Sequence, residues 1–457
     1  MRNNGIYVTQ ADEGPNIWLK RGVWLYFFLV IFEGALRKWI LPGLATPLLI
    51  IRDPFAVWLI YSVWRRGALP SSPYLSAMMW IGMIGILTAM FLGHGNLAVA
   101  LFGARIFMIH FPLIFVIGRI FDREDVLKMG RVILWIAIPM AVLIALQFYS
   151  PQNAWVNRGV GGDEAGGGFS GANGYFRPPA TFSFTNGTHL FFSLTGCFVL
   201  YFWLNPKGTS KILLSAATVA LITAIPLSIS RSLTFFLGVS VIFLLASVVR
   251  KPANFFRIIF AGIGFFLILL ILTRISFFQI ATETFLARFS NAATDEGGLK
   301  GTLGDRYLGG MSTALGNSVK QPFFGYGIGM GTNVGSMLLT GGTKFLISEE
   351  EWGRVIGEMG AIMGLSIIFI RLAVCLKLTI HAYKRMVAND LLPWMLLSFA
   401  LLVIPQGQWA QPTNLGFSVV IGGLLFASMR NTGPEVKSMS RVMPTEYHND
   451  ENQLQLN

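Results

Sequence analysis

The chain has 457 residues, 54% of them apolar and only 12% charged, and its mean hydropathy is +0.60. Soluble domains carry about a quarter charged residues, so the composition excludes a soluble globular protein. The net charge of +13 does not mark nucleic-acid binding either, because the basic residues form short clusters between apolar runs, as orientation signals do.

Apolar runs long enough to cross a hydrocarbon core recur about twelve times. They lie near 22–40, 44–63, 74–92, 97–118, 130–149, 183–204, 211–229, 233–249, 255–274, 353–376, 391–406 and 415–429. This predicts an all-α, polytopic integral membrane protein. No small-residue cleavage site follows the first run, which therefore reads as a retained span. Lys20 and Arg21, Arg65 and Arg66, Arg119 to Arg131, Lys207 and Lys211, Arg250 to Arg257, Lys384 and Arg385, and Arg430 to Arg441 all fall on one side. By the positive-inside rule that side is cytoplasmic, together with both termini. The expected organisation is a cytoplasmic segment 1–21, nine spans over 22–274, a large periplasmic loop 275–352, spans ten to twelve over 353–429, and a disordered cytoplasmic tail 430–457.

Arg37, Lys38 and Arg52, with Asp53, fall on the opposite side. They read as interfacial anchors, with binding of an anionic ligand as the alternative. The outer stretch 150–182 contains GVGGDEAGGGFSGANGYFRPP, whose glycines and prolines predict a flexible loop with no regular element. Cys197 and Cys375 both sit in apolar runs, which leaves no disulfide framework. No His, Asp, Glu or Cys cluster has metal-ligand spacing.

The candidate site residues follow in chain order. Arg177 ends the outer loop just before a span; His189 reads as a packed side chain, and the triplet Asn186-Gly187-Thr188 abuts the span too closely for glycosylation. Arg231 lies between two apolar runs with almost no loop. It either snorkels to the interface or pairs with an anion, and the flanking Ser230 and Ser232 favour a ligand-binding turn. Arg306, beside Asp305, opens a stretch to Leu315 that reads as a short amphipathic helix. Glycines 325, 327, 329 and 331 would let backbone N–H groups approach an anion. Glu349, Glu350 and Glu351 precede Trp352. They complement a helix dipole, with Ser348 as N-cap, or supply a base for an acceptor hydroxyl. Glu358, inside the following span, needs a partner.

Four stretches carry a family resemblance: RPPATFSFTNGTH at 177–189, the Ser-Arg turn at 230–231, GDRYLGGMSTALGNSVKQPFFGYGIG at 304–329, and SEEEWGRVIGEMGAIMGL at 348–365. On these the chain resembles the O-antigen polymerase and O-antigen ligase superfamily of bacterial envelope glycosyltransferases. Glu349 stands where ligases of that family carry histidine and Trp352 where they carry tyrosine, while Glu358, Gly360 and Gly364 match. FEGALRKWILPG and LLIIRDP resemble a subgroup of exopolysaccharide polymerases. The resemblance implies a metal-independent, inverting transfer in the inner membrane that needs no cofactor. Its donor is an oligosaccharide on undecaprenyl diphosphate, its setting the lipid bilayer, and a polysaccharide chain-length regulator a further partner. Arg231 and Arg306, with Arg177, would bind the diphosphate, and Glu349 would deprotonate the acceptor. The rival readings are an O-antigen ligase acting on a lipid A core, a flippase for lipid-linked sugars, and a non-catalytic assembly partner. A flippase would place ionisable residues and broken helices near the midplane of two related halves. Here the unusual charges gather at the outer face and the one large loop lies late in the chain, which speaks against it.

Overall fold

The computed structural model describes residues 17–250, 264, 271, 274–295, 309–342 and 344–430. The expected ninth span near 255–274, apart from positions 264, 271 and 274, lies outside the described residues, as do Arg306 and the tail from 431. The described chain is mostly helical. It runs through α1 (Ile17–Ala35), α2 (Arg52–Arg65), α3 (Pro73–Phe91), α4 (Leu97–Arg105), α5 (Phe111–Ile120) and α6 (Arg123–Tyr149). A hairpin of β1 (Phe169–Ala172) and β2 (Tyr175–Arg177) precedes α7 (Asn186–Leu204), α8 (Lys211–Leu227) and α9 (Arg231–Arg250). Then come α10 (Ser276–Asp295), α11 (Gly310–Gly316), α12 (Asn333–Thr340), the long α13 (Glu351–Val387), α14 (Leu392–Val403) and α15 (Pro412–Ser428).

Among the described residues, six helical stretches are long and apolar enough to cross a membrane: Pro47–Arg65, Pro73–Phe91, Leu97–Ile120, Arg123–Tyr149, Asn186–Leu204 and Glu351–Val387. These helices point to a membrane protein. Local signals start several of them. Prolines in the first turn open α3, α5, α14 and α15, and Asp122 and Asp125 form a capping box at the start of α6. The apolar windows of Asn186–Leu204 and Leu97–Ile120 are 83% and 72% buried, against 28% for Pro73–Phe91. α7 and the α4–α5 pair therefore run through the centre, and α3 lies outside. Where α5 meets α15, the absent side chains of Gly422 and Gly423 admit Ile114 and Ile117, so the backbones approach closely.

The bundle has two chemically distinct ends. At one, Lys20 Nζ pairs with Asp122 (2.8 Å) and Asp125 (2.5 Å), and Arg123 pairs with Asp390 at 2.9 Å. Arg131 donates to the Gly208 carbonyl there. The other, the loop end, is closed by bonds between connections: Trp39 to the Trp155 carbonyl (3.0 Å), His94 to the Ile328 carbonyl (3.1 Å) and Gln408 to the Glu349 carbonyl (2.7 Å). The basic residues Lys20, Arg123 and Arg131 thus meet at one end of the bundle.

The stretch 150–182 is not without regular structure. Phe169 pairs with Arg177 and Ser170 with Phe176 in an antiparallel hairpin. Its turn is Asn173-Gly174, with φ of 51° and 78°, the pair that best matches the twist of a two-residue hairpin.

Candidate functional site

The three consecutive glutamates have three different fates. Glu349 is exposed, and its carbonyl accepts from Gln408. Glu350, in extended backbone ahead of α13, receives no side-chain cap role; its N–H donates to Ser348 Oγ at 3.1 Å. It borders a cavity of about 360 Å³ with Thr313, Asn317, Gln321, Tyr326 and Ser348. Glu351 is buried. Arg354 donates to both its oxygens (2.9 and 3.1 Å), Arg371 to Oε1 (2.6 Å) and the Trp409 N–H to Oε2 (3.0 Å). Arg354 also reaches Glu358 at 2.6 Å, and Arg371 lies 3.9 Å from the Trp409 ring centroid. Two guanidinium groups meet two carboxylates, with backbone partners filling the remaining sites. Only such full satisfaction offsets the desolvation of four charges. Of the three glutamates expected to complement the helix dipole, Glu351 stands in the first turn of α13 and is in addition paired with two arginines, and Glu358 has the partner it needs.

The glycine run does not cradle an anion. Several of its N–H groups are already engaged: Gly325 donates to the Pro322 carbonyl (2.9 Å), Tyr326 to the Gly357 carbonyl (2.8 Å), Gly327 to that of Glu358 (3.0 Å) and Gly331 to Glu358 Oε1 (2.8 Å). The Glu358 carbonyl is free for this because α13 breaks at Gly360, where φ is 76° and ψ is 173°. The glycines serve close approach instead. A Cβ at Gly329 would strike the Val99 carbonyl, and one at Gly325 would strike that of Glu358. The segment is thus threaded between α3, α4 and α13 rather than lying in a solvated loop.

Two of the predicted arginines share one corner of the loop end. Arg177 closes β2, stacks over the Phe169 ring at 4.6 Å and is the charged neighbour of His189. The same hairpin rests its Gly171 against Ile229, two residues before Arg231, which opens α9. Arg288 of α10 reaches the Gly171 carbonyl at 3.4 Å. Both arginine-bearing turns are strained. Ala180 (φ 52°) and Ile229 (φ 48°) are buried non-glycine residues in the left-handed region, a conformation costing about 1–3 kcal/mol that gathers at functional sites. Arg306 lies outside the described residues. Of the helix expected from Arg306 to Leu315, the described part is α11, from Gly310 to Gly316, whose Ala314 packs on Trp352 and Ile356.

A chain of amides joins this corner to the glutamates. Asn186 donates to Gln411 Oε1, Gln411 to Gln408 Oε1 (2.7 Å), and Gln408 to the Glu349 carbonyl.

Arg37, Lys38 and Arg52 are not interfacial anchors; all three are buried. Arg37 and Arg52 share Glu33 at 3.3 and 3.1 Å, and Arg52 donates to the Pro412 carbonyl at 2.8 Å. Lys38 reaches the Ala180 carbonyl at 2.5 Å and Arg37 reaches Ser183 Oγ at 3.0 Å, so together they pin the RPPATFS segment. Asp53 pairs with Arg105 (2.8 Å) and His110 (3.0 Å). Glu33 and the Ala45, Ala180 and Pro412 carbonyls hold these cations inside the bundle, although Arg52 Nε and Nη1 are buried without a hydrogen-bond partner among the described residues. Arg105, His110 and Arg371 went unread in the sequence; an ionisable residue inside an apolar run was the signal.

No protein-family model, curated protein or solved structure matches the chain.

Proposed function

We propose that the chain is a membrane glycosyltransferase that polymerises undecaprenyl-diphosphate-linked oligosaccharide repeat units of an exopolysaccharide or O-antigen, as the superfamily it resembles does. One observation carries the reading. A single end of the bundle holds two strained arginine turns and a cavity bordered by carboxylate, amide and hydroxyl groups, joined by the Asn186–Gln411–Gln408–Glu349 chain. At about 360 Å³ the cavity has the size of a small-molecule site.

In this reading the acceptor hydroxyl oxygen attacks the anomeric carbon of the donor while its proton passes to Glu349. The bond from that carbon to the diphosphate oxygen breaks, with inversion. Arg177, Arg231 and Arg306 take up the charge that gathers on the departing diphosphate. Guanidinium forks suit phosphate geometry and stay charged at any relevant pH. Preorganised donors of this kind are worth about 3–4 kcal/mol each to a transition state. The proposal includes twelve spans in the inner membrane, both termini cytoplasmic, and the loop end periplasmic.

Two other readings follow from named features. A ligase shares the chemistry and differs only in its acceptor. A transporter of lipid-linked sugars is favoured by the break at Gly360 beside a buried ion cluster, a combination that transporters use. The deciding experiment incubates purified protein with a synthetic polyprenyl-diphosphate repeat unit and resolves the products on a gel. A ladder of lengthening lipid-linked products is expected. No ladder, but transfer to an added lipid A core, would make the protein a ligase; silence in both assays would leave transport.

A further inference from the structure

The connection between α10 and α13 presents a surface unlike that of a solvated loop. Its Gly325 to Gly331 stretch descends between helices: Gly103, against Gly329, lies six residues inside α4 from Leu97, and Gly85, against Ile328, six residues inside α3 from Phe91. At 1.5 Å per residue that is ~9 Å below the helix ends. On either side of this plug the large apolar side chains turn outward. Phe323 is 62% exposed, Met337 58% and Phe345 54%, with Phe324 and Leu338 also exposed. α12 lies against α4 and buries Gly335 and Ser336, while Met337 and Leu338 are exposed.

This surface continues one already turned outward by the candidate spans. Phe91 and Leu92 at the end of α3, and Leu97 and Leu101 on α4, are exposed directly beside it. The Tyr326 carbonyl lies against Gly93, which joins the two. Lys320 and Lys344, both exposed, bracket the apolar stretch. Exposed aromatic and aliphatic groups rimmed by lysines are the pattern of a segment lying in a membrane interface.

We propose that residues 321–342, with 344 and 345, form an interfacial ledge seated in the lipid leaflet at the loop end, with Phe323, Phe324, Met337, Leu338 and Phe345 among acyl chains. Tyr326 belongs both to this ledge and to the wall of the cavity beside Glu350. A ligand carrying a lipid tail therefore reaches the cavity sideways, from the bilayer. The placement of the ledge is independent of the chemistry proposed above.

The test uses the full-length protein in lipid nanodiscs, with a nitroxide on single introduced cysteines; Cys197 and Cys375 are buried. Met337→Cys and Phe345→Cys are compared with Trp80→Cys on the exposed face of α3 and Glu164→Cys in the 150–182 loop. Power saturation with oxygen and with a water-soluble nickel chelate reports lipid or water. The labels at 337 and 345 are expected to match position 80, with oxygen the dominant relaxant and nickel accessibility several-fold below that at position 164. Nickel-dominated relaxation like that at 164 would overturn the ledge. Low accessibility to both reagents would overturn it too, because a protein surface or a second copy would then cover the patch.

Discussion

Glu349 and Glu351 stand two positions apart, and opposite outcomes are expected when each is changed. Glu351 answers two buried guanidinium groups, so Glu351→Ala leaves a charge excess with no water to screen it. A loss of about 3–5 kcal/mol is expected, read as a lowered unfolding midpoint in detergent. Glu349→Gln changes an exposed side chain and leaves the backbone carbonyl that accepts from Gln408 in place; its midpoint should not move. If Glu349 is the base, the same variant loses polymer while still binding the lipid donor. Retained full activity would remove it from the mechanism. Arg231→Ala should likewise abolish long polymer, with the protein still inserted and folded. Arg177 and Arg231 were legible as charges at span ends. What the sequence did not disclose was their common hairpin, because Gly171 and Ile229 are far apart along the chain.

α13 shows how one helix acquires two tasks. Its first turns carry Glu351, Arg354 and Glu358 at spacings that place them on one face, and that much could be read directly. The break could not. Gly360 takes a left-handed φ of 76° because the Phe323 carbonyl occupies the space a Cβ would need. Gly360→Ala combines the strain of that backbone, about 1–3 kcal/mol, with this collision, so the glycine loop should be displaced. A lower thermal midpoint and faster proteolysis between 321 and 345 are the expected signs. An unchanged midpoint would mean that α13 straightens at little cost.

The two ends of the bundle set the topology to be tested. A cysteine introduced at Glu164, in the connection bearing the hairpin, should react with a reagent confined to the periplasm, and one at Lys207 should not. Reaction at 207 alone would invert the orientation drawn from the positive-inside rule. Lys20, Arg123 and Arg131 are drawn together by Asp122, Asp125, Asp390 and the Gly208 carbonyl, while the loop end is closed by amides and backbone carbonyls.

Composition and run length determined the helical class and the presence of helices long and apolar enough to cross a membrane. Each of those rests on short-range physics: the length needed to cross hydrocarbon, and the cost of leaving charge in it. The fates of the three glutamates were decided only by tertiary structure. Only Glu351 lies within α13, with Glu349 and Glu350 in the non-helical backbone ahead of it, and what each side chain or backbone group meets is set by Arg371, Gln408 and the 313–348 wall, which arrive from elsewhere in the chain. The glycine run is the same lesson in backbone form. Its composition allowed either an anion cradle or close packing, and the choice fell to packing when α13 opened at Gly360 and its carbonyls took the free N–H groups.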